Sequence, residues 1–507
     1  MKFDLNEENL ESNQIIEINT DNNQRSTPGD NIYLARNNVS ISLEGYNAPL
    51  VSIYVIGYKN LEKYTKTCVE CILEYTTNID YELILIDNGS YDGTLEYFKS
   101  IAYSKKKIIK ITKNLGAFFA SNAGIKIARG RFIVGVANDI YVTKNWLENL
   151  LKCALSDERI GMVVPMSDNV SNHQSIDLNF TDFEDMQKKA AEFNISNPQK
   201  WHERLRLINP IVLFSKVCLD MIGMQDYGFF HDFADDDLAF RVRRAGYKAI
   251  LCKDVFIHHA GNTTKDPEVS RKSLEQGRIA FKEKYYGIDA WDDVNNFESS
   301  MMSLITLKRN HGDFVPNVLG VDVRCGTPLL EAKNTLREKG IFNTRLSAFT
   351  TKAKYWLDLK TICDGKAEVD RVDYILDYFE HEKFDYVIVG QPLNAYNHPF
   401  LLVGHLLKLL NPDGELLVKL ANSYDIVTLL KIIGMNIARD NDVVHHFSVD
   451  ELNSQLKLLG YTINNIIIEQ HRFNEDIHNF LKNIKFNNEN AFLKATAKDY
   501  VIKIVRN

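Results

Sequence analysis

The sequence lacks an uninterrupted apolar run of about 18 residues, the length that a membrane-spanning helix requires. Its opening residues, MKFDLNEENL, are acidic rather than signal-like. Net charge is low, −7 at pH 7 with a pI of about 6.0, which disfavours a nucleic acid or a membrane surface as partner. Cysteine is scarce, and an odd number of seven favours reduced thiols over a disulfide framework. These absences predict a soluble cytoplasmic protein without a membrane span.

A chain of 507 residues, 45% hydrophobic and 25% charged, can form two or three globular domains. Composition and patterning divide it into four parts. Residues 1–48 are an Asn-rich tail or arm of low hydrophobicity, and residues 49–287 alternate strands and helices as βαβ units do. Residues 288–316 form a helical connector, and residues 317–507 carry a second α/β pattern. The predicted fold class is α/β for both large domains.

A buried strand that ends in an aspartate is the most informative local pattern. Glu82–Ile86 is short, rich in aliphatic residues and bounded by turn residues, which is typical of a core strand in a parallel sheet. Asp87-Asn88-Gly89-Ser90 follows it directly. Ligands of open α/β sheets bind at the carboxyl ends of the strands, so Asp87 can meet a ligand there. The alternative is that Asp87 only forms the turn.

The same pattern recurs further along the chain, which favours a binding site over a simple turn. Phe132–Ala137 is a second short apolar run, and Asn138-Asp139 ends it. A helix through Leu155 follows, with Thr143 or Asn145 as its cap. Two strand-end carboxylates predict a ligand-binding crevice at one edge of the sheet.

With these motifs in this order, Leu50 to Gly287 resembles the inverting family-2 glycosyltransferases of the GT-A fold. The resemblance lies in VSIYVIGYKN (Val51–Asn60), DNGSYDGT (Asp87–Thr94), NLG followed by SNAG (within Asn114–Gly124), and AND (Ala137–Asp139). The last segment matches the family's Asp-x-Asp motif, with alanine in place of the first acid. The resemblance implies a nucleotide-sugar donor, most simply a UDP-sugar, bound by Tyr58, Asn60, Asp87, Asn88, Gly116, Asn122, Asn138 and Asp139.

A metal ion is also implied by the resemblance. The departing diphosphate gains negative charge, and a hard cation held by carboxylates and by the phosphates neutralises it. Asp139 is therefore the expected ligand of Mn²⁺ or Mg²⁺. The family has a histidine after its acceptor helix, and His258 and His259 in VFIHH both match it. Adjacent strand residues point to opposite faces, so one of the two histidines can face the ion.

Three consecutive aspartates in FADDDLAFRVRRAG begin an amphipathic helix. Helix capping alone is one interpretation. The segment also resembles the family's Glu-Asp-x-Asp-Leu acceptor motif, in which the aspartate after the glutamate is the general base; Asp235 matches it and Ala234 replaces the glutamate. Repulsion from its neighbours should raise the proton affinity of Asp235, which suits a base. Asp236 is the reserve candidate.

Two further residues are predicted near the acceptor. Asp237 is expected at the acceptor site, or fixing its loop, or paired with Arg241 four residues on. Trp201 lies in the stretch Asp177–Trp201, which interrupts the recognisable elements and, in this family, shapes the acceptor site. Cys68 and Cys71 lie in a helical stretch without a second cysteine or histidine pair at zinc-site spacing, so we predict helix core for them.

The second α/β pattern resembles the class I, adenosylmethionine-dependent methyltransferase fold. VLGVDVRCGTP (Val318–Pro328) is similar to its first motif, but Arg324 and Pro328 replace two glycines that let the backbone approach the cofactor. The acid expected after the second strand has no good candidate around Leu346–Thr350. We therefore expect a retained fold without methyl transfer, serving dimerisation, acceptor docking or support of the transferase.

The resulting functional prediction is a metal-dependent, inverting glycosyltransferase that moves a hexose or N-acetylhexosamine to an acceptor hydroxyl. The stretch GMVVPMSDNVSNHQ (Gly161–Gln174) resembles bacterial enzymes that glycosylate surface proteins such as flagellin, or that build surface polysaccharides. A protein acceptor is the first interpretation and a glycan acceptor the second. The alternatives are a bifunctional enzyme with active methyl transfer and a binding protein without turnover. A homodimer through the C-terminal domain is a further expectation.

Overall fold

The computed structural model describes residues 15–19, 48–226, 228–229, 232–261, 267–307, 314–427, 430, 443–473, 475, 479, 481, 484 and 489–507. Most of the predicted tail, the polar part of the predicted connector at 308–313 and Asn262 to Thr264 lie outside these residues. The chain divides into two compact units, Met1–Asn295 and Asn296–Asn507. Both units are mixed α/β with one principal sheet each, as the sequence predicts at that level. Within the described residues, no helix has the length and apolar character needed to cross a membrane.

The sheet of the first unit has the strand order β1-β4-β3-β2-β5-β9-β7-β10-β6. Neighbours among β1 to β5 pair in parallel, and β10 pairs in parallel with β7. β9 is antiparallel to β5 and β7. β8 pairs with β10 outside this path. The strands are β1 (Ile15–Ile18), β2 (Val51–Gly57), β3 (Tyr81–Asn88), β4 (Lys106–Ile111), β5 (Phe132–Ala137), β6 (Ile140–Tyr141), β7 (Ile160–Ser167), β8 (Trp201–Arg204), β9 (Ile211–Ser215) and β10 (Lys248–His259).

Helices cover both faces of this sheet, because successive residues of its buried strands point to opposite sides. The helices are α1 (Lys66–Tyr75), α2 (Thr94–Ser100), α3 (Ala117–Ile127), α4 (Trp146–Ala154), α5 (Phe183–Phe193), α6 (Lys216–Ile222), α7 (Ala234–Arg244) and α8 (Pro267–Lys284). One core layer joins Val51, Ile53 and Val55 to α1, α2 and α4. The other joins Tyr54 to α3, α6 and α7. A short π-helical turn, Leu61–Thr65, precedes α1.

The edge strand β1 is an element that the sequence did not predict. Ile15–Ile18 pairs in parallel with β4, with Ile15 opposite Ile108 and Ile18 opposite Ile111. Ile16 is buried, whereas Ile15 and Glu17 are exposed. Four residues of alternating burial inside a polar, Asn-rich stretch are too short for a periodicity signal, and the edge of β4 supplies the missing partner.

The second unit contains a sheet of order β13-β12-β11-β14-β15-β17-β16, in which β17 is antiparallel to both neighbours. Its strands are β11 (Asn317–Val321), β12 (Arg345–Thr350), β13 (Ala367–Val369), β14 (Phe384–Pro392), β15 (Leu410–Ala421), β16 (Tyr461–Gln470) and β17 (Ala497–Arg506). The helices are α9 (Ser299–Ser303), α10 (Thr327–Glu338), α11 (Trp356–Ile362), α12 (Ile375–Phe379), α13 (Pro399–Lys408), α14 (Val449–Leu458) and α15 (Glu489–Thr496).

The cysteines agree with the prediction of reduced thiols. All seven are free, and six are buried. Cys68 and Cys71 lie on the inner side of α1 among the core residues of the first layer, so their prediction as helix core is confirmed.

Candidate active site

The carboxyl ends of β2, β3 and β5 are neighbours at one edge of the first sheet. In the parallel ladders Gly57 lies opposite Asp87, and Ile56 lies opposite Ala137. Asp87 therefore lies one strand to one side of β2, and Asp139, two residues beyond Ala137, follows the strand on its other side. Such an edge is where open α/β sheets bind their ligands.

Asp87 is held in a tight turn. Its Oδ1 accepts the backbone N–H of Ser90 at 2.9 Å, and Ser90 Oγ accepts the N–H of Lys59 at 3.1 Å. Gly89 has φ +79°, and a Cβ at this position would lie 2.7 Å from the backbone nitrogen of Asn114, so glycine is required. Burial raises the pKa of the Asp87 carboxyl above its ordinary value, with the Ser90 hydrogen bonds opposing the shift. The ionised carboxylate of Asp87 therefore lowers the stability of the folded state.

Aromatic and basic side chains flank this turn. The Lys59 ammonium lies 5.0 Å from the ring centroid of Tyr58 and 4.6 Å from that of Tyr91, whose side chain is 81% exposed. Asn60 is exposed and adopts a left-handed conformation with φ 56°. Asn138 donates to Thr65 Oγ1 at 2.8 Å, which connects the end of β5 to the loop after β2. Tyr58, Asn60 and Asn138 therefore lie beside the turn, and their contact with a donor stays a prediction.

The remaining predicted donor-binding amides are used within the protein. Asn88 donates to Asn114 Oδ1 at 3.1 Å and to the carbonyl of Gly116 at 3.3 Å. Asn122 donates to the carbonyl of Gln225 at 2.8 Å and accepts its N–H at 2.9 Å. Both asparagines are only 2% exposed. These contacts give Asn88 and Asn122 the role of holding loops.

Asp139 meets one of the two candidate histidines. Nε2 of His259 lies 3.4 Å from Oδ2 of Asp139. A Cβ on Gly261 would lie 2.0 Å from the same oxygen, so this glycine leaves room for the carboxylate. Burial lowers the pKa of His259, but the adjacent carboxylate of Asp139 outweighs it and leaves the pKa raised. Of the two histidines, His259 is therefore the one that lies beside Asp139, and its contact with an ion stays a prediction.

His258 has a different environment. Its Nδ1 lies 2.6 Å from Oδ2 of Asp168, and its ring packs against Tyr141 and Phe180 at centroid distances of 5.6 and 5.3 Å. Its prediction as a metal ligand is therefore not supported by these contacts. Among the described residues, no group of three or more side chains of His, Cys, Asp or Glu could hold an ion. Asp139 and His259 form a pair, and further ligands would have to come from a bound substrate.

The three consecutive aspartates at the start of α7 have three different environments. Asp235 is half-buried, and its Oδ2 accepts the N–H of Asn209 at 3.3 Å. Asp236, 6% exposed, pairs with the guanidinium of Arg206. Asp237 is fully buried. The expected repulsion on Asp235 loses much of its source, because the charges of both neighbours are balanced by cations.

The contacts of Asp237 do not support its predicted place at the acceptor site. Its carboxylate pairs with Arg241 at 2.9 Å and with Lys284, and it accepts the hydroxyl of Tyr285 at 2.6 Å. Burial alone would raise the pKa of Asp237, but Arg241 and Lys284 outweigh it and lower the pKa. The predicted pair with Arg241 is confirmed. A substrate cannot reach a side chain that is enclosed by these partners.

Trp201 is also a structural residue. It is 8% exposed, belongs to the core layer of α1, α2 and α4, and donates its indole N–H to Asp254 at 2.9 Å. Asp235 lies at the start of α7, which packs on the other face of the sheet. The acceptor role predicted for Trp201 therefore has no support in its position.

Asp235 lies at the same edge as Asp87 and Asp139. It bonds to Asn209, and the following Pro210 accepts the N–H of Ala137 at 3.0 Å. The start of α7 is thereby joined to the end of β5. Burial raises the pKa of Tyr54 on β2 to about 12, and the charge of Asp235 adds to this shift.

Sequence reasoning missed Asp168. This residue follows β7, bonds to His258 and accepts the N–H of His259 at 2.8 Å. The signal was available, because VVPMSDN is again an apolar run that ends in adjacent Asp and Asn residues, as do the runs at Asp87-Asn88 and Asn138-Asp139. The stretch was interpreted only as a resemblance to enzymes acting on surface proteins.

Comparison with known proteins shows which family the segment that forms this edge resembles. Residues 52–206 match the sequence profile of the family described as "Glycosyl transferase family 2". The chain is 28% identical over 165 residues to a chondroitin synthase of Pasteurella multocida (strain Pm70), a match covering 31% of this chain and 17% of the relative. It is 29% identical over 162 residues to a hyaluronan synthase of Pasteurella multocida, covering 30% and 16%. The matches span about a sixth of the length of these relatives.

A search of solved structures returns the crystal structure of GalNAc-T7 with UDP, GalNAc and Mn²⁺, at a TM-score of 0.38 and 12% identity, covering 51% of this chain and 52% of that one. Residues 52–206 are thus similar to glycosyltransferase family 2. This similarity supports the predicted enzyme class, a glycosyltransferase, for the matched segment.

Proposed function

We propose that the first unit transfers a sugar from a nucleotide-sugar to an acceptor hydroxyl with inversion at the anomeric carbon. The observation that carries the proposal is the meeting of Asp87, the Asp139–His259 pair and Asp235 at one edge of one sheet. A direct displacement needs a donor site, charge neutralisation of the leaving group and one base on the opposite side of the sugar. The family match of residues 52–206 supports this assignment of the edge.

The donor's nucleoside binds in the turn after β3. Asp87 Oδ2 can accept an N–H of the base while Oδ1 holds Ser90. The rings of Tyr58 and Tyr91 with the Lys59 ammonium between them suit a flat base and a phosphate. We propose a UDP-linked hexose or N-acetylhexosamine as the donor.

A divalent cation, Mn²⁺ or Mg²⁺, would be held by Asp139 and His259 together with the diphosphate. The residues present fit such an ion: an oxygen and an imidazole nitrogen are 3.4 Å apart, and Gly261 leaves the carboxylate unobstructed. When bound, the ion would neutralise the charge that develops on the leaving diphosphate. The nitrogen ligand favours Mn²⁺ over the harder Mg²⁺.

Asp235 is the base that we assign. It is the one carboxylate of its run with partial exposure, while Asp236 and Asp237 are engaged by cations. Asp236 remains the reserve. The Arg206–Asp236 pair fixes the start of α7 beside Asn209, so it orients Asp235 rather than replacing it.

We consider two alternatives for the acceptor. The first is a serine or threonine of a bacterial surface protein such as flagellin. The second is a growing surface polysaccharide, which the names of the two Pasteurella relatives favour for the matched segment. A panel containing a purified flagellin and short glycosaminoglycan oligosaccharides distinguishes them by which acceptor gains mass.

The decisive experiment is a donor screen followed by one variant. UDP- and GDP-sugars are tested with Mn²⁺ for hydrolysis or transfer by mass spectrometry, and Asp235→Asn is compared with the exposed control Glu158→Gln. Asp235→Asn should bind the donor as the unaltered protein does and lose transfer, whereas the control keeps both. Transfer by Asp235→Asn at the unaltered rate contradicts the role of the base, and a protein that binds but turns over no donor is a binding protein.

For the second unit we propose a methyltransferase-like fold without methyl transfer. Numbered from β11, its strands follow the order 3-2-1-4-5 of doubly wound folds, whose ligands bind between strands 1 and 4. Here that crevice is crossed by a hydrogen bond from Tyr396 to Asp322 at 3.0 Å. The second oxygen of Asp322 accepts the N–H of Thr351 at 2.7 Å, where an acid would otherwise follow β12.

The departures noted in the sequence support the same proposal. Arg324 adopts a left-handed conformation with φ 53° in the turn after β11, and Pro328 lies at the start of α10. Calorimetry with adenosylmethionine tests it. We expect no binding, and measurable heat with saturation would favour the bifunctional alternative.

A further inference from the structure

Asp168 uses both of its carboxylate oxygens on the end of β10. Oδ2 lies 2.6 Å from Nδ1 of His258, and Oδ1 accepts the backbone N–H of His259 at 2.8 Å. The adjacent Asn169 donates its amide to the carbonyl of His259 at 3.0 Å. Two consecutive side chains therefore bond both backbone polar groups of the residue whose imidazole meets Asp139.

These bonds begin where the β-ladder ends. The last pair between β7 and β10 is Ser167 with Ile257. Beyond it, and among the residues that the structure describes, β10 pairs with the two-residue strand β6 on its other side, with His258 opposite Tyr141. Asp168 thus replaces the missing ladder on the β7 side, and the position of the last two residues of β10 depends on it.

The loop that starts at Asp168 has an unfavourable backbone. Asn169, Asn172 and His173 have φ values of 53°, 65° and 54°, a conformation that crowds the Cβ atom of L-residues. Asn172 is held by a bond from its amide to the carbonyl of Arg206 at 3.0 Å. Backbone strain of this kind is concentrated at functional sites, where the surrounding contacts maintain it.

Resting on the function proposed above, we propose that Asp168 is a positioning residue: it fixes the end of β10 so that the His259 imidazole faces the Asp139 carboxylate. His258 then serves as the anchor of this connection, with its ring held between Asp168, Tyr141 and Phe180. A residue that orients a metal-binding histidine in this way typically changes ion affinity about 10–100-fold when removed.

Three variants separate positioning from charge. Asp168→Asn keeps an oxygen that can accept the N–H of His259 but removes the charge. Asp168→Glu keeps the charge but moves the oxygens by one methylene, and Asp168→Ala removes both. The matched control is Glu192→Gln, at an exposed position of α5.

The measurement is a titration with Mn²⁺ in the presence of UDP, followed by the electron paramagnetic resonance signal of the free ion, with thermal unfolding recorded for each protein. We expect Asp168→Ala and Asp168→Glu to bind Mn²⁺ about tenfold more weakly or worse, and Asp168→Asn to stay within about threefold of the unaltered protein. UDP binding without metal should be unchanged in all of them, because Asp87 lies on the other side of β2.

Two results would overturn the inference while leaving the proposed function intact. One is an unaltered Mn²⁺ affinity in Asp168→Ala. The other is weak binding by Asp168→Asn with full binding by Asp168→Glu, which would mean that the charge alone matters. If Asp168→Ala does not fold, the Asn and Glu variants decide. Failure of the unaltered protein to bind Mn²⁺ with UDP or to use any donor sinks the proposed function itself.

Discussion

The run of three aspartates permits a sharp test, since each residue is expected to fail in a different way when changed to asparagine. Asp237 is fully buried between Arg241, Lys284 and Tyr285. Replacing it removes a fully buried charge that balances two cations at once, and breaking such a buried ion pair costs about 3–5 kcal/mol. The remaining bonds of these cations, from Lys284 to Asp226 at 2.9 Å and from Arg241 to the carbonyl of Ile222 at 2.8 Å, place Asp237→Asn at the lower end of that range.

The other two substitutions should cost less. Asp236 is itself 6% exposed and balances the guanidinium of Arg206, so we expect Asp236→Asn to cost about 1–3 kcal/mol. Asp235 is half-buried, and an asparagine oxygen can still accept the N–H of Asn209. For Asp235→Asn we therefore expect a stability change within about 1 kcal/mol.

The assay pairs urea unfolding with sugar transfer for the three variants. Stability should fall in the order Asp235→Asn, Asp236→Asn, Asp237→Asn, while transfer by folded protein should be lost in Asp235→Asn. The opposite pattern, in which Asp237→Asn is stable and inactive while Asp235→Asn unfolds easily, would refute the assignment. Equal losses in all three would mean that the run only caps α7.

Two further predictions follow from the same edge. Because burial raises the folded pKa of Asp87 above its ordinary value, the ionised carboxylate destabilises the folded state above that pKa, and this penalty disappears as pH falls below about 3.9. Asp87→Asn keeps an acceptor for Ser90 and should therefore be more stable than the unaltered protein at pH 7 but bind UDP more weakly. In urea titrations the stability gain should shrink at lower pH. Gly261→Ala places a methyl group 2.0 Å from Asp139 Oδ2 and should weaken Mn²⁺ binding in the presence of UDP. The control Gly404→Ala, where a Cβ meets nothing within 4 Å, should leave Mn²⁺ binding unchanged. Equal Mn²⁺ affinities in the two variants would contradict the close fit between Gly261 and Asp139.

Local sequence patterns predicted most of the sheet edge, because strand ends are encoded locally. The apolar runs before Asp87 and Asp139 stop at turn-forming residues, and the structure ends β3 and β5 within two residues of the predicted positions. The same pattern before Asp168 marks the end of β7. A search for every apolar run that ends in adjacent Asp and Asn residues, in either order, would have found this third residue.

Most partners of each acid could not be predicted in this way. Locally, the i,i+4 pair with Arg241 is what distinguishes Asp237 from Asp235, which shares its helical turn. The difference arises from Lys284, 47 residues further on, and from Arg206, 30 residues before Asp236. The environment of Trp201 could not be predicted for the same reason. An aromatic residue in a polar stretch suits either a binding surface or a core, and its contact with Asp254 is what places Trp201 in the core.

The two histidines combine both kinds of information. Strand periodicity correctly requires that His258 and His259 face different surroundings, yet parity cannot say which one faces Asp139. That choice depends on Asp168, because its carboxylate bonds the side chain of the first histidine and the backbone of the second. A residue that contacts no substrate in our proposal thus selects which neighbour can bind the ion, so a change at Asp168 should act on ion affinity rather than on recognition of the nucleoside.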